Sequence, residues 1–146
     1  MNSIKPRIIK GDDFIDERGK IQFINNFDLS PIKRIYFTSH YNIDTIRAWQ
    51  GHKVESCWFY CVKGGFKIKL IRIDDWDNPS NECNVFEYEL SEEKPQVLVM
   101  PNGYVNGFKA TKEDSKLMLM SNYGLNEIED DSIRFDTNTW VNKIKW

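Results

Sequence analysis

The stretch TIRAWQGHKVESCWFYCVKGG, residues 45–65, contains two apolar runs, 45–52 and 57–63, rich in Ile, Trp, Phe, Tyr and Val and closed by Gly64 and Gly65. Short runs of β-branched and aromatic residues bounded by turn formers are strand signals. The glycine pair of KGGF (63–66) suits a tight hairpin, so 57–63 is expected to pair with the run that follows. Outward from this stretch, similar punctuation marks strands at 20–25, 33–39, 66–74, 84–90, 96–100, 107–110 and 117–122. Within GFKIKLIRID, Phe66, Ile68 and Leu70 alternate with Lys67, Lys69 and Ile71, the pattern of a half-buried antiparallel strand. Only residues 126–133 offer a helical turn or two. Short strands with frequent turn signals imply an all-β chain with little helix, a β-sandwich or a jelly-roll barrel.

Size and composition agree with one folded unit. A chain of 146 residues buries roughly two thirds of its unfolded surface around a single core, and splitting it would leave two marginal ones. A single domain over 1–146 is expected. The net charge of −2 gives no electrostatic reason to attract a polyphosphate backbone, so nucleic acid is not an expected partner. The N-terminal MNSIKPRIIKGDD lacks the apolar core of a secretory signal, and no run is long enough for a membrane span; a cytoplasmic protein is expected. On an extended strand Cys57 and Cys61 would lie about 13 Å apart, too far to bridge. Their spacing is not that of a zinc site either, so neither a disulfide nor a thiolate metal centre is expected.

The residues that can carry chemistry begin in the opening stretch. Gln50 and His52 are two apart on a strand and leave the same face, whereas Arg47 faces the other way unless a bulge intervenes. A histidine in such a strand is also compatible with a structural role. DERG (16–19) and PNGYVNGF (101–108) read as turns when taken alone.

Their order along the chain says more. DERG, then RAWQGHK (47–53), a glycine turn, DDWDNPS (74–80), VMPNGYVNGF (99–108) and DSIRFD (131–136) together resemble the dTDP-4-dehydrorhamnose 3,5-epimerase family and its relatives, the dTDP-sugar 3,4-ketoisomerases. The resemblance implies a cupin-type double-stranded β-helix (jelly roll) acting on a nucleotide-linked 4-keto sugar, in surface polysaccharide biosynthesis, without a cofactor. Cupins often bind a metal through two or three histidines and a glutamate, but this chain has two histidines in all, so no metal is expected. It also implies a homodimer, in which residues 4–10 could add a strand to a sheet edge or cross to the partner. Arg18 matches the arginine of the family's D-x-R-G motif and Arg47 the first residue of its R-G-L-H-x-Q motif, both in the ligand site.

The same resemblance exposes departures. The epimerase histidine falls on Gln50, its lysine on Cys57, its tyrosine on Met118 and a further motif histidine on Asn106. An amide and a thioether cannot exchange the carbon-bound protons that epimerisation requires. The ketoisomerase motif R-G-x-H-x-H-K, by contrast, keeps its second histidine here as His52 and its lysine as Lys53. His52 is then the expected base, with Tyr36 and Tyr41 as phenolic partners. Arg18, Arg47, Gln50, Lys53, Tyr104 and Asn106 are expected to touch the substrate, Tyr104 being a third candidate phenol. His40, at a strand end, is expected on the surface. The alternative is a non-catalytic nucleotide-sugar-binding or regulatory homologue that retains the arginines without the acid/base set.

Overall fold

The computed structural model describes residues 4–146. Twelve strands form in chain order: β1 Arg7–Lys10, β2 Asp12–Asp16, β3 Gly19–Phe23, β4 Arg34–His40, β5 Ile46–His52, β6 Cys57–Lys63, β7 Gly65–Arg72, β8 Val85–Ser91, β9 Gln96–Met100, β10 Tyr104–Ala110, β11 Ser115–Ser121 and β12 Ile133–Arg134. Every strand pair is antiparallel. One sheet runs β1-β9-β6-β11-β4 and the other β12-β5-β10-β7-β8, while β2 and β3 form a separate hairpin. The architecture is the expected all-β jelly roll, with no helix among the described residues.

The two five-stranded sheets face one another across Phe59, Leu98 and Leu117 of the first and Phe66, Ile68, Leu70 and Phe108 of the second, all buried. Removing such side chains from water stabilises a fold by roughly 1.5–3 kcal/mol each. Each sheet is also covered on its outer side. Val97, Val99, Trp58 and Met120 lie under Ile9, Ile24, Phe27 and Ile32, while Trp49, Ile71 and Val105 lie under the C-terminal Trp140, Ile144 and Trp146.

Three local expectations are corrected. KGGF is not a hairpin: β6 belongs to the first sheet and β7 to the second, so the turn carries the chain from one sheet to the other. Glycine is needed there because Gly64 has φ +75° and a Cβ would fall 2.1 Å from Ser115 Oγ. The turn chemistry is the same whether the strands pair or diverge, and β6 finds its partners in β9 and β11 instead. Secondly, β7 is buried on both faces, with Ile71 at 0% and Lys69 at 2% exposure, because the C-terminal segment lies over its outer side. The Lys69 ammonium remains satisfied by Glu87 at 2.5 Å and the Trp146 ring at 5.4 Å. Thirdly, residues 126–131 wind irregularly, with Asn126 (φ 65°) and Asp130 (φ 56°) in the left-handed region, and 133–134 form β12 instead of continuing a helix.

Candidate functional site

Between the sheets the core gives way to two adjoining hollows of 320 and 570 Å³. Tyr36, Gln50, His52 and Arg134 line both and form the waist between them. The smaller hollow adds Thr38, Arg47, Asn106, Phe108 and Leu119; the larger adds Arg34, Glu55, Tyr123, Leu125, Asp131 and Ser132, among others.

Local strand geometry explains how β5 supplies three of these side chains. Opposite β10 the register runs Asn106↔Gln50 and then Gly107↔Ala48, so Trp49 is the extra residue of a bulge. A bulge reverses the alternation on one side of itself. Trp49 therefore packs outward against Trp140 and Trp146, and Arg47 joins Gln50 and His52 in facing the interior. Gly107 accommodates the Trp49 ring, since a Cβ there would come within 2.8 Å of it.

His52 is 5% exposed, and its environment fixes its chemistry. Nδ1 lies 2.7 Å from the Asp131 carbonyl oxygen, which can only accept, so Nδ1 carries the proton and donates it. Glu55 Oε2 stands 3.2 Å from the same nitrogen. The lone pair of the neutral ring is then on Nε2, the position required of a base. Asp131 is itself held in place: its carboxylate accepts the backbone N–H groups of Lys53 at 2.7 Å, Val54 at 3.1 Å and Glu55 at 2.9 Å. Glu55 is engaged further by Arg34 at 3.0 Å and by the Ser121 hydroxyl.

Tyr36 faces His52 across the waist from the opposite sheet. Burial pushes its phenol up to about 12, so it enters chemistry as a neutral donor. Gln50 donates from Nε2 to Ser132 Oγ at 2.8 Å, and Asn106 donates to the Gln50 carbonyl at 2.9 Å. Arg47 donates from Nε to Nε2 of His40 at 3.2 Å.

Other expected site residues lie elsewhere. Tyr41, just past the end of β4, turns into solvent at 80% exposure. Tyr104 is buried at 2%, donates its hydroxyl to the Ile4 carbonyl and packs on Phe86, so its ring is sealed into the core. Lys53 contributes its backbone N–H to Asp131 while its side chain is exposed. Arg18 sits at the tip of the β2–β3 hairpin, 78% exposed and paired with Asp16 at 2.5 Å. His40, expected on the surface, is buried at 2% beside Phe66 and Phe108. Burial and the neighbouring Arg47 charge lower its pKa, which suits its acceptor role. Met118 points to the outer cluster, and the side chain that β11 gives to the cavity is Leu119.

The residues missed by sequence reasoning are Glu55, Asp131, Arg34 and Arg134. Only DSIRFD signalled two of them, as a motif without a role. A metal does not suit this cluster. His52, Glu55 and Cys57 bring donor atoms within 4.8 Å of one another, but His52 Nδ1 is spent on a carbonyl and Arg34 already neutralises Glu55. Burial also drives the Cys57 thiol far above its ordinary range, away from the thiolate a metal needs.

No protein-family model and no curated protein matches the chain. Among solved structures, the sugar 3,4-ketoisomerase of Thermoanaerobacterium thermosaccharolyticum, a double mutant in complex with TDP, is similar at 25% identity. That match covers 89% of this chain and 87% of that one, with TM-score 0.65. This is the cupin fold shared by the 3,4-ketoisomerases and the dTDP-4-dehydrorhamnose 3,5-epimerases. The Bacillus anthracis 3,5-epimerase with TDP and PPi bound matches at 14% identity over 97% and 84% of the two chains, TM-score 0.79. A histidine-to-asparagine mutant of the Thermoanaerobacterium ketoisomerase, in complex with TDP-4-keto-6-deoxyglucose, matches at 22% over 94% and 91%, TM-score 0.67.

Proposed function

We propose that this protein is a nucleotide-sugar isomerase of the 3,4-ketoisomerase type, acting on a dTDP-4-keto-6-deoxy sugar or a related nucleotide sugar. The observation that carries the reading is His52: Nδ1 bound to the Asp131 carbonyl and beside Glu55, Nε2 left as the base of a cavity that also holds Tyr36. In this mechanism Nε2 removes the proton from C3, and the C3–H electron pair becomes the C3–C4 double bond as the C4 carbonyl oxygen takes charge. Tyr36, donor and acceptor at one oxygen, passes the C3 hydroxyl proton to that oxygen. The imidazolium, facing Glu55, returns its proton to C4, which leaves the carbonyl at C3. One base on one face suffices, whereas a 3,5-epimerase needs a proton donor on the opposite face as well.

A second reading keeps the same ligand without the chemistry. Its support is Gln50, an amide where the epimerases place a histidine, tied to Ser132. Incubation with dTDP-4-keto-6-deoxyglucose separates the two: a 3-keto product from the wild type, lost in His52→Asn, supports the enzyme, and nucleotide binding without product supports the binder.

The wider setting belongs to the same proposal: one jelly-roll domain, a cytoplasmic place and a role in surface polysaccharide synthesis. A homodimer is supported by the exposed apolar side chains Ile35 and Phe37 on the outer side of β4 and Phe14, Ile15 and Ile21 on the β2–β3 hairpin. A monomer in light scattering would remove that element.

A further inference from the structure

His40 is a buried polar ring in surroundings that do not call for one. It ends β4, is 2% exposed, and packs beside Phe66 and Phe108 with ring centroids 5.4 and 5.5 Å away. Its Nδ1 is buried with no hydrogen-bond partner among the described residues. A buried donor left unpaired costs stability, and an apolar side chain of similar size would fill the place without that cost. What the imidazole supplies instead is an acceptor: Nε2 receives the Arg47 Nε–H at 3.2 Å.

That bond runs from one sheet to the other, since β4 belongs to the first and β5 to the second. Elsewhere in this chain arginines are oriented by carboxylates, Arg18 by Asp16 and Arg34 by Glu55. A carboxylate aims a guanidinium but cancels its charge, whereas a neutral imidazole aims it and leaves the charge whole. Arg47 makes no ion pair among the described residues. With Nε held by His40, its two terminal nitrogens stay open to a ligand in the smaller hollow that it lines. Burial, and then the Arg47 charge, hold the His40 pKa below the ordinary histidine value, so the ring stays neutral and accepting.

We propose that His40 is a positioning residue: through Nε2 it fixes the Arg47 guanidinium at the smaller hollow with its charge uncancelled, and so sets the affinity of that hollow for its ligand. The identity of the ligand rests on the isomerase reading. His40 lines neither hollow and acts only through Arg47.

The test compares the full-length wild type, His40→Leu and His40→Gln by thermal unfolding and by calorimetric titration with dTDP-glucose, a nucleotide sugar that lacks the ketone and is not turned over. Leucine suits the apolar surroundings but cannot accept, whereas the glutamine amide oxygen can take the place of Nε2. His40→Leu should keep or raise the wild-type melting temperature and yet bind dTDP-glucose about tenfold more weakly, while His40→Gln binds within about threefold of the wild type. Unchanged affinity in His40→Leu would overturn the proposal and leave the isomerase reading standing. Equal weakening in both variants would overturn it too, by making the shape of the ring, not its acceptor, the cause. Whatever the folding of the variants, NMR of the wild type should show a slowly exchanging Arg47 Nε–H, and one in free exchange with solvent would overturn the bond itself. A wild type that binds no dTDP-glucose would remove the nucleotide-sugar reading and this inference with it.

Discussion

Glu55 stands 3.2 Å from His52, Oε2 to Nδ1, while its other oxygen receives the Arg34 guanidinium at 3.0 Å. In the proposed isomerase, the imidazolium formed when His52 takes a substrate proton lies against the Glu55 carboxylate, which stabilises that intermediate.

The pair also has a structural weight that can be measured. Glu55→Ala leaves Arg34 without its partner in a partly buried site and is expected to cost about 3 kcal/mol in denaturant unfolding. Adding Arg34→Met should recover most of the loss, because the stranded charge is then gone. Equal losses in the single and double variants would contradict the pairing.

Tyr36→Phe removes the hydroxyl that passes the proton between substrate oxygens. Turnover is expected to fall about a hundredfold, within the range of general acid–base groups, with TDP affinity unchanged. Steady-state kinetics beside calorimetry gives both numbers.

Alkaline pH should destabilise the fold. Burial raises the Cys57 thiol far above its ordinary value of 9.0, the Cys61 thiol to about 11 and the Tyr36 phenol to about 12 from 10.0. Above the ordinary values the unfolded chain has released protons that the folded chain still holds, so stability falls as pH rises from about 9. Melting temperature against pH should show this decline, and Cys57→Ala should flatten part of it.

Chelation should leave turnover unchanged, and added zinc should not raise the melting temperature, because Arg34 and the Asp131 carbonyl occupy the groups a metal would need. The three cysteines, all buried and free, should react with a thiol reagent only on unfolding. A zinc-dependent rise in melting temperature would overturn the assignment.

Most strand positions and limits were legible because β-branched and aromatic runs are local signals, whereas the order of the strands in the sheets was not. The KGGF turn was misread because its glycines report backbone conformation at one point, whereas the destination of β7 depends on the partners already taken by β6. Alternation alone put Gln50 and His52 on one face, and the motif resemblance made them site residues. Arg47 could be placed only by a bulge at Trp49, which depends on the approach of that ring over Gly107. Glu55 and Asp131 escaped notice because acidic residues near turns are ordinarily solvated. Their burial follows from contacts 76 to 79 residues apart along the chain.

The central claim, that His52 is a working base, is tested most directly by incubating the protein with dTDP-4-keto-6-deoxyglucose in deuterated water and following C3 by NMR. The account predicts loss of the C3 proton signal with the wild type, as the carbonyl moves to C3 and a proton or deuteron arrives at C4, and no change with His52→Asn. Saturable TDP binding with neither exchange at C3 nor a 3-keto product would contradict it and leave a binding protein in place of an isomerase.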